Sequence, residues 1–203
     1  LFSSYVIFMD QLLLNIHPPG KKTLGNFVAG NNQECLDVLI RFIQTNNHQF
    51  IYLWGESGSG KSHLAEAIND FGVTVIQDVD TFNEEQQIQT FNLFNEHKAT
   101  QRKMLLTGAN APNHMGLRDD LSSRLSWCLV YQLKGLTDIE KMLALEHHVT
   151  EKGMTLNLKV IDYCMRHLKR DLPSLIATLD ALDEWSLKTK KPVTIPLLKE
   201  LIG

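Results

Sequence analysis

The chain has 203 residues, a length that suits one α/β domain with a small appendage and is ample to bury a core. A net charge of -3 and a pI near 6.2 give no bulk attraction to nucleic acid, so a dedicated DNA-binding domain is not advertised. Cys35, Cys128 and Cys164 are far apart, form no CxxC pair and sit in apolar segments, which points to reduced core thiols and a cytosolic address. The histidines show no metal-binding spacing, and no apolar run is long enough for a membrane span.

The opening LFSSYVIF lacks the basic flank of a signal peptide, and Met9 reads as an alternative start. Residues 10–22 look like an extended tail, because Pro18-Pro19-Gly20 stops any helix running on from Ile16. Within it, Gln11-Leu12-Leu13-Leu14-Asn15-Ile16 sets a polar head before four aliphatic residues, which can fill a partner's groove or fold back on their own domain. Beyond Gly30, Asn32 stands where an N-cap belongs. Leu36, Leu39, Ile40 and Ile43 then share one helical face.

Residues 50–62, FIYLWGESGSGKS, carry the strongest signal in the chain. An apolar strand feeds Gly55-Glu56-Ser57-Gly58-Ser59-Gly60-Lys61-Ser62, and a helix-like segment, HLAEAIND, follows. Glycines let successive N–H groups converge on phosphate oxygens, Lys61 adds a point charge at the outer phosphates, and the Ser62 hydroxyl can reach a magnesium ion. The pattern defines a nucleotide-binding P-loop.

Residues 71–80, FGVTVIQDVD, predict a second strand ending in acid. A carboxylate at that end, beside the P-loop strand, is placed to ligate Mg²⁺ or to act as a base for water, with Asp78 the first candidate and Asp80 the second. A helix from Asn83 to His97, a strand over 103–108, a short polar helix with Arg118 and Arg124, and a strand over 128–133 come next. From Thr137 the pattern is wholly helical. It opens on a capping box (Thr137 with Glu140), stops at Gly153, and has Pro173 in the first turn of a later helix.

A P-loop α/β core followed by helices resembles an AAA+ ATPase, and the detail resembles the DnaA branch of that class. TLGNFVAGNNQECLDVL is similar to the opening motif of DnaA proteins, and DLSSRLSW to their Ser-Arg-Phe/Leu-x-Trp signature. In that signature the arginine is a finger offered to a neighbour's nucleotide, a role that falls on Arg124. The chain stops after TIPLLKELIG, where DnaA would continue into a DNA-binding domain. With QLLLNI at its start, it is similar to the Hda-type DnaA-homologous regulatory inactivators.

That resemblance implies a parallel-sheet α/β core with a helical lid, divided into a tail (1–22), a nucleotide-binding domain (23–135) and a lid (136–203). It implies bound ADP or ATP with Mg²⁺ held by Ser62 and Asp78. It implies DnaA and the DNA polymerase III sliding clamp as partners, with DNA reached through the clamp and no membrane, and it leaves a homodimer open. Gln11, Leu12, Leu14 and Ile16 would bind the clamp. There are departures from the pattern. Gln77 stands at the first acidic position of Walker B, Ala109-Asn110 replaces Asp-Arg at sensor 1, and Pro173 takes the place of the lid arginine, leaving Arg170 one turn earlier as substitute. The segment between the P-loop helix and the acidic strand is also too short for the strand and helix usual there. These departures weaken self-hydrolysis more than nucleotide binding. The expected function is stimulation of ATP hydrolysis on DnaA; the alternatives are an ATPase loader of the DnaC or IstB type and a clamp-bound adaptor with a decayed site.

Overall fold

The computed structural model describes residues 21–202, in two compact units: Lys22–Leu136, and the helices from Thr137 onward. The clamp-binding candidates Gln11, Leu12, Leu14 and Ile16 lie outside the described residues.

In the first unit, four strands form one wholly parallel sheet: β1 (Phe50–Trp54), β2 (Thr74–Ile76), β3 (Met104–Gly108) and β4 (Leu129–Gln132), in the order β2-β3-β1-β4. Parallel pairing needs a crossover between neighbours, and helices supply it on both faces. On one face lie α1 (Gln33–Gln44) and α2 (Lys61–Asn69), packed on Ile51, Leu53 and Leu105. On the other lie α3 (Glu84–Thr100) and α4 (Asp119–Ser126), packed on Tyr52, Met104 and Leu106. The period-two alternation along β1 thus feeds two separate cores, which is why its run of five reads as almost continuously apolar.

β2 is shorter than the strand predicted over 71–80. Phe71 and Gly72 close α2 through bonds from their N–H groups to the Ile68 and Asn69 carbonyls, and Gly72 takes a left-handed φ of 73°. Past Ile76, Asp78 is left-handed as well and opens a 3-10 turn over Val79–Thr81. Only three residues remain to pair with β3. No strand or helix intervenes between Asn69 and Thr74, so the chain passes directly from the P-loop helix to the sheet's edge. That edge is fastened from outside the sheet by the buried His97 of α3. Its Nε2 meets the Thr74 hydroxyl at 2.8 Å, and its Nδ1 bonds the Leu93 carbonyl at 2.9 Å.

The second unit contains α5 (Asp138–Glu151), α6 (Leu158–His167), α7 (Leu172–Thr189) and α8 (Ile195–Ile202) around a core of its own that includes Leu145, Ile161, Cys164, Leu175, Leu179, Leu182 and Leu198. The predicted capping box is formed: Thr137 Oγ1 accepts from the Glu140 N–H, and the Glu140 carboxylate accepts from the Thr137 N–H at 2.7 Å. Gly153 follows α5 with a left-handed φ of 64°, and Pro173 sits in the first turn of α7 after an Asp171 cap. Among the described residues, no helix is long and apolar enough to cross a membrane.

All three cysteines are free and buried. Burial pushes the Cys35 and Cys128 thiols up to about 12 and Cys164 to about 11. A thiol whose pKa is raised by folding favours the native state fully below its unfolded value of 9.0, and that contribution is lost as pH rises from there toward 12. Native protein at pH 8 is expected to leave a chromogenic thiol reagent unconsumed until urea unfolds it. Rapid native-state labelling of any of the three would contradict this.

Candidate nucleotide site

The carboxyl ends of the four strands gather at one edge of the sheet, and β1 is the strand where the order reverses, with neighbours on either side that come later in the chain. The P-loop leaves β1 there. Gly55 bonds the Gly108 carbonyl of β3 at 3.3 Å, while the Trp54 carbonyl accepts from Leu133 beyond β4 at 2.7 Å. The loop's origin is therefore fixed from both sides.

Two of the loop's glycines answer a spatial demand, and Gly58, in open space, answers only a left-handed φ of 80°. A Cβ on Gly55 would overlap the Leu133 carbonyl oxygen. A Cβ on Gly60 would lie 2.7 Å from the Phe27 ring, and its φ of 100° is one that L side chains rarely adopt. Gly60 caps α2, and Lys61 begins it. The Lys61 ammonium donates to the Gly55 and Glu56 carbonyls at 2.6 and 2.9 Å, so it lies inside the loop. The Ser59 hydroxyl is buried and finds no hydrogen-bond partner among the described residues. Glu56, Ser57, Gly58 and Ser62 are exposed.

A glycine-shaped cradle, an unsatisfied buried hydroxyl, an internal ammonium and the free N–H groups of a helix start fit the phosphates of a nucleotide. The fit extends to the segment before α1. The His63 ring on α2 meets the Thr23 carbonyl through Nε2 at 2.9 Å and lies 5.4 Å from the Phe27 ring. Burial holds His63 below its ordinary pKa, partly offset by the Thr23 bond. Phe27, His63 and Thr23 thus wall one flank of the loop. Sequence reasoning missed all three, although Phe27 lies within the opening motif.

Asn32 does not cap α1 as expected. Its buried side chain pairs with the backbone of Lys134, donating to the carbonyl and accepting from the N–H, both at 2.8 Å. One amide can copy the donor and acceptor of a strand neighbour, and here it ties the start of α1 to the exit from β4.

The acidic candidates separate. Asp78 is exposed, and its N–H bonds the Thr107 hydroxyl at 3.1 Å. The Asp80 carboxylate instead accepts the Ala109 N–H at 2.9 Å, immediately past β3. Gly108 lies between Asp80 and Tyr52, whose hydroxyl donates to the Asn110 carbonyl at 2.7 Å. A Cβ on Gly108 would overlap that hydroxyl and approach Asp80 Oδ1 to 3.0 Å. Tyr52, Asp80 and Gly108 therefore interlock, fixing the loop after β3 beside the origin of the P-loop. Gln77 and Asn110 are exposed nearby in the chain.

The two arginines near α4 differ sharply. Arg118 is spent on carboxylates: Nε and Nη2 meet Asp120 at 3.2 and 3.1 Å, and Nη1 meets Glu84 at 2.9 Å. The same pairing holds Asp120 below the usual carboxylate range. Arg124 makes no ion pair among the described residues. Its Nε donates to Asn95 at 3.1 Å, and the guanidinium stacks 4.1 Å from the Trp127 ring and 5.3 Å from Phe91. In the helical unit, Arg170 is exposed and lies 3.6 Å from Asp138.

A P-loop on the central strand of a parallel sheet, followed by a unit of four helices, is the architecture of an AAA+ protein. Solved structures agree on this fold. Domain III of DnaA from Thermotoga maritima superimposes with a TM-score of 0.72 at 18% identity, covering 92% of this chain and all of that one. AMPPCP-bound DnaA from Aquifex aeolicus gives 0.65 at 20% identity, over 84% and 70% of the two chains. The RuvB branch-migration motor of T. maritima gives 0.59 at 12% identity, over 89% and 71%. Residues 138–202 match the family model described as the lid domain of Hda. An uncharacterised Haemophilus influenzae protein is 30% identical, the alignment covering 95% of this chain and 98% of that protein. The chain belongs to the Hda-type family of DnaA-homologous AAA+ proteins. The Haemophilus alignment runs over 227 positions, more than the length of this chain, so the relative carries residues opposite which this chain has none.

The interlock around Gly108 predicts that Gly108→Ala costs about 1–3 kcal/mol, the usual range for overpacking. Adding Tyr52→Phe should restore part of that loss, since the hydroxyl is the nearest obstacle. Urea unfolding of the single and double variants measures both effects, and a double variant no more stable than Gly108→Ala would refute the assignment.

Proposed function

We propose that this chain regulates replication initiation by lending Arg124 to the nucleotide site of ATP-bound DnaA while docked on the DNA-loaded sliding clamp. The observation that carries the reading is the contrast between the arginines: the guanidinium of Arg118 is neutralised by Asp120 and Glu84, whereas the Nη groups of Arg124 have no carboxylate partner among the described residues. A guanidinium free at its fork can meet the charge that develops on a transferring phosphoryl group, an interaction that typically contributes 10³–10⁵ in rate (order of magnitude). Family membership supports DnaA as the partner. The clamp contact rests on Gln11, Leu12, Leu14 and Ile16 and on sequence alone.

In the same reading the chain holds a nucleotide of its own, ADP or ATP. The N–H groups of residues 55–62 and Lys61 take its phosphates, and Ser62 and Asp78 its Mg²⁺. The resident nucleotide supplies an anion for the cradle and stabilises the folded unit by mass action. Efficient turnover is not expected, because Gln77, Ala109 and Pro173 stand where acidic and cationic groups would act.

Two measurements test this. Lys61→Ala should weaken ADP binding by about 10- to 100-fold, the worth of a charge-assisted contact, as read by calorimetry. Arg124→Ala should reduce stimulated hydrolysis of DnaA-bound ATP by about 1000-fold or to background, with clamp and DNA present. Full stimulation by that variant would overturn the reading, while brisk ATP turnover by this chain alone would favour a loader-type ATPase. Clamp capture should be lost in Gln11→Ala/Leu14→Ala; undiminished capture would remove the tail from the mechanism.

A further inference from the structure

We propose that Asn95 and Trp127 are positioning residues for Arg124, holding its guanidinium by the Nε edge and by a ring face so that the terminal fork stays available to a polyphosphate on a partner. The inference rests on the reading of Arg124 above.

The grip spans two helices. Asn95 belongs to α3, and its Oδ1 accepts from Arg124 Nε at 3.1 Å. Trp127 caps the C-terminal end of α4 three residues beyond Arg124, the spacing that puts two side chains on one helical face. Together they engage the one guanidinium nitrogen that is not part of the fork, along with the π-surface. Nη1 and Nη2 are left without an ion pair among the described residues.

The Trp127 indole is 54% exposed, so core packing does not account for it. It also carries the Lys98 ammonium 4.3 Å from its ring. Lys98, Arg124 and the indole form a cationic, aromatic patch, and the acids Asp120 and Glu84, bonded to Arg118, are not ion-paired to it. A patch of that charge suits a nucleotide's phosphates. Ordering also matters. A stacked arginine tied at Nε loses its rotamer freedom on folding rather than on meeting its partner, so less of the interaction is spent on immobilisation at the transition state.

The experiment uses the full chain with ATP-bound DnaA, clamp and DNA, and resolves the maximal stimulated rate from the concentration giving half stimulation. Asn95→Ala and Trp127→Ala are each expected to lower the maximal rate about tenfold or more and to leave half-stimulation within about twofold. Trp127→Phe, which keeps a ring face, should recover most of the rate. In an Arg124→Ala background neither substitution should lower the rate further, because a group that acts through Arg124 has nothing left to position. Wild-type rates for Asn95→Ala and Trp127→Ala, a Trp127→Phe rate no better than that of Trp127→Ala, or losses that multiply with Arg124→Ala, would overturn the proposal while leaving the finger itself intact. Full stimulation by Arg124→Ala alone would instead bring down the reading on which it rests.

Discussion

β1 is paired on both edges, and that double pairing is the constraint on which the rest of the first unit depends. With β3 on one side and β4 on the other, the strand has no free edge, and the chain leaving Trp54 is held by Leu133 and Gly108 at once. The P-loop must turn within the space that these two neighbours leave. Gly55 follows from that crowding as much as from the need to approach phosphate closely. The backbone of residues 133 and 134 serves three elements together: it crowds Gly55, bonds Trp54, and completes the amide of Asn32. A change there would be felt in the P-loop and in the segment leading to α1 simultaneously.

Electrostatically, the unit separates charges that are consumed in holding the fold from charges that are left for chemistry. Arg118, Asp120 and Glu84 neutralise one another. Arg124 is treated differently, since aromatic rings and a neutral amide hold it without cancelling its charge. Phe91 and Trp127 can do this because a ring face attracts a cation without supplying a counter-ion.

What could be read from sequence was whatever depends on neighbours in the chain. The P-loop between an apolar strand and a helix, the Thr137–Glu140 capping box and the glycine stop at Gly153 are local patterns, and each takes the expected form. What could not be read were side chains spent on remote backbone. Asn32 has the right chemistry for an N-cap, but Lys134 competes for both ends of its amide and prevails. Asp78 and Asp80 look equivalent in a strand extended to residue 80. They part company where the chain turns left-handed at Asp78, which leaves Asp78 exposed while the Asp80 carboxylate bonds the Ala109 N–H. The ion pair that an arginine beside Asp119 and Asp120 invites goes to Arg118, not Arg124.

The wholly parallel sheet also sets the order in which this chain can acquire structure. Phe50 waits for Met104 and Ile51 for Leu129, so β1 leaves the ribosome long before either partner exists. The helical unit is wired the other way, each helix packing on others close by in sequence, and such short-range contacts form fast. A nascent chain that ended before β4 would therefore bear an apolar, half-paired strand next to an untethered glycine loop. The interval between the synthesis of β1 and that of β4 is when chaperones have most to protect.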